Sequence, residues 1–198
     1  MPRYVDHDDR RAQIVEATLE ILADRGPRGL TFRAVAAKLG GSSTLITHYF
    51  GTRQALLDAI VETMSDWPSE LDELEMDIDD DGERLRRFLI WMIPSTEHSR
   101  MQERGRINLL GEPDAKLRTR HIFASWDAEA RELFRRHLRS LVPPEELELK
   151  VDVLRTLTNG LTLSTIEHPD DWPLERQTAV IDEALAALGL YPAAQLPS

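Results

Sequence analysis

No cysteine occurs in the 198 residues, which excludes disulfides, zinc–thiolate sites and thiol nucleophiles outright. The absence suits a reducing compartment, so a cytoplasmic location is expected. Long apolar runs are missing as well. No segment approaches the ~20 apolar residues of a membrane span, and the opening MPRYVDHDDRRAQ lacks the apolar centre of a secretory signal. Strand-like alternation is nearly absent. The six histidines form no pair at metal-binding spacing on one helix, and HExxH, GxSxG, P-loop and GxGxxG patterns do not occur. No metal, cofactor or catalytic centre is therefore expected. An enzyme built on this chain would have to assemble its active site from distant helices.

Positive charge is scarce beyond residue 57. The last 141 residues hold 16 Lys/Arg against 29 Asp/Glu, whereas the first 57 hold eight against six. A net charge of −11 argues against general affinity for nucleic acid. The asymmetry nevertheless suits a polyanion at the N-terminal end alone, although chance scatter would also produce it. Acid is densest from Asp66 to Glu83, with ten Asp/Glu and no Lys/Arg, which reads as a solvated connector. Within it, Asp77 to Glu83 looks like the start of a calcium loop, but the bidentate Glu required at position 12 falls on Phe88.

Helical periodicity is what the chain has in abundance. It predicts an all-α fold of about nine helices, near residues 8–25, 31–39, 43–49, 52–64, 83–93, 97–110, 113–141, 144–167 and 173–188. Gly26-Pro27-Arg28-Gly29 stops the first, Gly40-Gly41 turns between the second and third, and Pro143-Pro144 and Pro169 through Pro173 separate the last three. Gly189 follows the final helix as its C′ residue.

The two short helices around Leu39-Gly40-Gly41-Ser42 have the layout of a helix-turn-helix, whose second helix enters the major groove. Ser42 caps that helix. Its outer surface offers Ser43, Thr44, Thr47, His48 and Tyr49, while Leu45, Ile46 and Phe50 face inward. Hydroxyls and imidazole donate or accept without a large desolvation cost. Arg33 is the side chain here able to grip a guanine bidentately, and Arg53 opens a helix whose free N–H groups suit a phosphate. Spacing alone leaves a second option, a plain helical corner with a polar cap. A protein-interaction module is a further alternative, though it would not need a hydroxyl-rich helix after a glycine turn.

Residues 10–57 resemble the DNA-binding domain of the TetR family of bacterial transcriptional regulators. The stretch Leu39-Gly40-Gly41-Ser42-Ser43-Thr44-Leu45-Ile46-Thr47-His48-Tyr49-Phe50, with Arg53 at a lysine place, is similar to the family's recognition helix. Thr31-Phe32-Arg33-Ala34-Val35-Ala36 is similar to its Thr-x-x-x-Ile-Ala helix, and Leu157 to Leu163 to a later stretch. The Leu-Ile-Thr-His-Tyr-Phe variant looks most like the choline-responsive betaine regulators. Gly41, Thr44 and Thr47 depart from the pattern, which bears on the operator sequence.

The resemblance implies a homodimer on a palindromic double-stranded DNA operator, released by a small-molecule effector, with no membrane partner. Residues 1–55 would be the DNA-binding domain and 56–198 the effector and dimerisation domain. Arg33 would meet a base or a phosphate; Ser43, Thr44 and Thr47, beside the capping Ser42, would meet bases; Thr31, His48, Tyr49 and Arg53 would meet phosphates. Phe88, Trp91, Met92, Met101, Asn108, Phe123 and Trp126 would line an effector pocket, although a large aromatic at helical spacing is more often core. The helix over 144–167 carries two apolar stripes, Leu147/Val151/Leu154/Leu161 and Leu149/Val153/Leu157 with Gly160. A two-fold bundle of the last two helices is expected, its interface formed by the first stripe with Leu174, Ile181, Leu185 and Leu188.

Overall fold

The computed structural model describes residues 7–63, 71, 77–110 and 117–191. Nine α-helices and no strand occur among the described residues, as the periodicity predicts. They are α1 (His7–Gly29), α2 (Phe32–Lys38), α3 (Ser43–Phe50), α4 (Arg53–Thr63), α5 (Asp81–Trp91), α6 (Glu97–Leu110), α7 (Leu117–Leu138), α8 (Pro144–Glu167) and α9 (Leu174–Ala187). Much of the acidic connector lies outside the described residues. At its end Asp80 caps α5 by accepting from Glu83 N at 2.7 Å, and Asp81 pairs with Arg84 at 2.7 Å. Those acids of the calcium-like run start a helix.

α2 ends in a Schellman motif: Gly40 takes φ 63°, Gly41 N donates to Ala36 O at 2.9 Å and Gly40 N to Ala37 O at 3.3 Å. Gly189 closes α9 in the same way, with Leu190 N on Leu185 O at 2.9 Å. The expected stop of α1 at Arg25 is instead a kink. Gly26 adopts φ 64° and ψ −177°, and helix resumes through Gly29 behind Pro27. Proline is tolerated at the start of a turn, where an N–H has no intrahelical acceptor.

Packing divides the chain into residues 1–66 with 101–119 and residues 67–100 with 120–198. α4 and most of α6 thus pack with the helices grouped above as 1–55. In the first unit α1 packs on α2 and α4, and α3 lies against both α2 and α4. Ile14, Leu22, Val35, Ile46, Leu56 and Ile60 are fully buried there. α6 comes close to α1 at Gly105, where a Cβ would stand 3.0 Å from Leu19 Cδ1.

The second unit buries Phe88, Leu89, Phe134, Leu138, Val151, Leu154, Ile181 and Leu185 in one cluster, with Leu71. Arg86 on α5 and Asp182 on α9 form a two-pronged ion pair, Nε to Oδ1 at 2.6 Å and Nη2 to Oδ2 at 3.1 Å. Burial first, and a hydrogen bond to Glu83 second, push the neighbouring Tyr191 phenol above its ordinary range. Three ion pairs put α7 and α8 antiparallel: Arg135–Glu148, Arg131–Asp152 and Arg155–Asp127, at 2.7, 2.6 and 3.2 Å.

α8 separates its two stripes, and the assignment of the dimer face is corrected accordingly. Val151, Leu154, Ile181 and Leu185 are 0% exposed and Leu161 3%, all within the chain's own core; Leu147 and Leu188 pack against it half-buried. None of the five buried residues offers a surface to a partner. Of the other stripe, Leu149 is 65% and Val153 39% exposed, whereas Leu157 packs half-buried on the core; Leu163 of α8, at 46%, and Leu174 of α9, at 42%, are exposed as well.

Candidate nucleic-acid interface

α3 begins where Ser42 Oγ accepts from Leu45 N at 3.3 Å. Ile46 and Phe50 anchor its inner side, buried, and Ser43, Thr44, Thr47 and His48 lie exposed on the other. The helical repeat brings positions 43, 44, 47 and 48 together on one face. Thr47 donates its hydroxyl to Ser43 O at 3.0 Å, which leaves the oxygen able to accept. Thr31 caps α2 by accepting from Ala34 N at 3.1 Å, and Arg33 is exposed on the first turn of that helix.

The helix starts here are free of acid. α2, α3 and α4 carry none in their first turn, as is also true of α7 in the second unit, whereas α1, α5, α6, α8 and α9 each carry at least one. An N-terminal acid offsets the positive end of the helix dipole, so three consecutive helices keep that end available to an anion. Thr52 caps α4 by accepting from Ala55 N at 3.1 Å.

Arg53 departs from expectation. Its Nε donates to Leu30 O at 3.1 Å and its Nη2 to Pro27 O at 2.5 Å, so it braces the end of α1. The remaining N–H groups of the guanidinium still permit a phosphate contact. Tyr49 is half-buried, its ring 4.6 Å from His7 and 5.6 Å, edge-on, from His48. His7 was not foreseen as part of this surface. Neither was Arg11, whose guanidinium lies 5.4 Å from the Phe50 ring centre.

Of the residues expected in an effector pocket, Phe88, Trp91, Met92, Phe123 and Trp126 belong to the second unit and Met101 and Asn108 to the first. Phe88 is fully buried, stacked at 4.2 Å on His137 and edge-on to Phe134 at 4.9 Å, a core position. Trp91 and Met92 are half-buried against that core. Phe123 and the buried Trp126 form an edge-on pair at 5.3 Å. Asn108 is corrected: its Nδ2 donates to Leu22 O at 2.9 Å and Ala23 O at 3.1 Å, both on α1. His137, missed in the sequence, is buried with Nδ1 2.7 Å from Leu133 O, so that nitrogen carries the proton.

The pattern of bacterial regulatory proteins of the tetR family matches residues 14–60, and that of the BetI-type transcriptional repressor C-terminal domain matches residues 82–190. The chain belongs to the TetR family. Over 100 residues this TetR-family chain is 29% identical to the HTH-type transcriptional regulator PksA of Bacillus subtilis, covering 50% of the chain and 49% of that protein. Over 59 residues it is 37% identical to the HTH-type transcriptional regulator BetI of Burkholderia thailandensis, covering 30% of each. It thus spans about half, or less, of the length of these curated relatives. A transcriptional regulator from Saccharomonospora viridis in complex with choline shares the fold, with a TM-score of 0.77 at 16% identity over 90% of this chain and 96% of that one.

Proposed function

We propose that this TetR-family chain is a ligand-responsive transcriptional repressor, cytoplasmic, that binds a palindromic operator as a homodimer and is released by a small-molecule effector. The observation that carries the reading is the trio of acid-free helix starts beside the exposed face of Ser43, Thr44, Thr47 and His48. No described helix is long and apolar enough to cross a membrane. Gel shifts with DNA from upstream of the chain's own gene, at two salt concentrations, test the DNA half. Affinity should be roughly nanomolar and fall steeply with salt as phosphate contacts release counterions. Arg33→Ala or Thr47→Ala should blur preference at particular bases, while Arg53→Ala weakens all sites alike and lowers the salt slope by about one. Equal, salt-insensitive affinity for operator and random DNA removes the reading.

The choline complex of the Saccharomonospora viridis regulator makes a quaternary ammonium the first effector chemistry to try. Tryptophan faces bind such cations through the ring quadrupole, which supports a role for Trp91 and Trp126. Millimolar choline should raise the wild-type melting temperature by a few degrees and lower operator affinity about tenfold. Trp91→Ala should abolish both responses and leave DNA binding intact. A wild-type melting curve unmoved by choline sinks the cationic effector.

A further inference from the structure

The core-facing side of α1 continues past the core. Ile14 is fully buried, and His7, Arg10 and Arg11 precede it on the same face at helical spacing. These three lie over α3 and the turn ahead of it. The His7 ring is 4.6 Å from that of Tyr49, and the Arg11 guanidinium is 5.4 Å from the Phe50 ring centre. Arg10, half-buried, comes to the turn itself, with its Nη2 3.8 Å from where a Cβ on Gly41 would stand. Gly41 is exposed and its φ is not positive, so what its missing side chain provides is room. A methyl there would just touch the guanidinium and Leu45 Cδ2; a branched side chain would press into them. The charge of Arg10 is not offset by the fold. Its Nη1 donates to the neutral Gln13 Oε1 at 2.8 Å, and among the described residues no carboxylate is within ion-pair reach of it. Arg84, Arg131, Arg135 and Arg155, by contrast, each have a carboxylate oxygen within 3.2 Å.

We propose that Arg10 is a further DNA-contacting residue outside the helix-turn-helix: it reaches past Gly41 and binds a backbone phosphate beside the groove that α3 enters. The inference rests on the DNA-binding reading proposed above. A guanidinium has five N–H groups, and the bond to Gln13 uses one of them. Gln13 thus steadies the fork without cancelling its charge, and the remaining donors suit the paired oxygens of a phosphate. Arg10 stands at the turn ahead of α3, outside the face formed by Ser43, Thr44, Thr47 and His48. A contact from that place is expected to add affinity for any sequence and no preference among bases.

The test uses the untagged full-length chain, with the upstream duplex and a random duplex of equal length, each titrated over a series of salt concentrations. Arg10→Gln should weaken binding to both by one common factor, about tenfold at low salt, and lower the salt slope by about one. Arg10→Lys keeps the charge and should hold the slope, with affinity within about threefold of wild type, which separates a lost contact from a fold defect. Gly41→Val leaves every charge in place and fills the room beside the guanidinium, so it should lower affinity and slope in the same way. In an Arg10→Gln background it should change affinity by less than about twofold, because the group it displaces is already gone. An Arg10→Gln chain with the wild-type salt slope overturns the proposal. So does a loss confined to the upstream duplex, which would make Arg10 a base reader, and so do losses that simply multiply in the double variant. A wild-type chain that binds neither duplex overturns the DNA-binding reading instead.

Discussion

Glutamate at both Leu149 and Val153 is expected to yield a folded monomer whose operator affinity is ~10²–10⁴-fold weaker, with Arg33, Thr47 and Tyr49 untouched. The two side chains lie one turn apart on α8 and are 65% and 39% exposed. Leu163 and the exposed Gly160 extend the stripe along the helix. Charging an exposed position costs the single chain little, whereas burying two carboxylates against a second copy is prohibitive. A monomer holds one half-site at a time and loses the effective concentration that links two heads, which sets the size of the drop. Sedimentation velocity reports the mass and circular dichroism the fold. Leu154→Glu is the contrast: at 0% exposure it places a charge inside the core and should unfold the second unit rather than split a dimer. A double variant that sediments as a dimer excludes this face of α8 as the interface.

Removing the carboxylate of Asp182 should cost about 3–5 kcal/mol of stability, because Arg86 is left charged in a site that is less than a tenth exposed. The hydrogen bond from Arg86 is the main reason its guanidinium is held above the ordinary arginine range, so the arginine stays charged rather than losing its proton. For a chain of this length the loss corresponds to a melting temperature lower by about 10 °C. Arg86→Met with Asp182→Leu replaces both partners by apolar groups and should recover most of that loss. Urea denaturation of the two variants measures the difference. If Asp182→Ala alone changes stability by less than about 1 kcal/mol, the pair is not a determinant of the α5–α9 contact.

The helices were legible because their punctuation is local. Gly40, Gly189 and Pro144 act on the two or three residues around them, and those positions end or begin helices as the sequence predicts. The α8 stripes show where such reading stops. Both repeat at helical spacing and both are apolar, so periodicity identifies two faces without saying which one meets the chain's own core. Burial decides it, at 0% for Leu154 against 39% for Val153. Asn108 and Arg53 escaped for another reason. Their partners are carbonyl oxygens, which every residue carries and no side-chain pattern marks. His7 was overlooked because its partners, His48 and Tyr49, lie forty residues away along the chain.

The contact between His7 and Tyr49 also governs how the protein should be handled. Six residues precede His7, a span of roughly 20 Å when fully extended. Anything fused ahead of Met1 is thus tethered within that reach of the recognition helix. A polyhistidine tag there gains charge as pH falls through about 6.5 and becomes a movable cation beside the phosphates. It would raise affinity for any DNA, more so in acidic buffer, and flatten apparent specificity. Binding constants of the N-terminally tagged and untagged chains should diverge most at low pH and low salt.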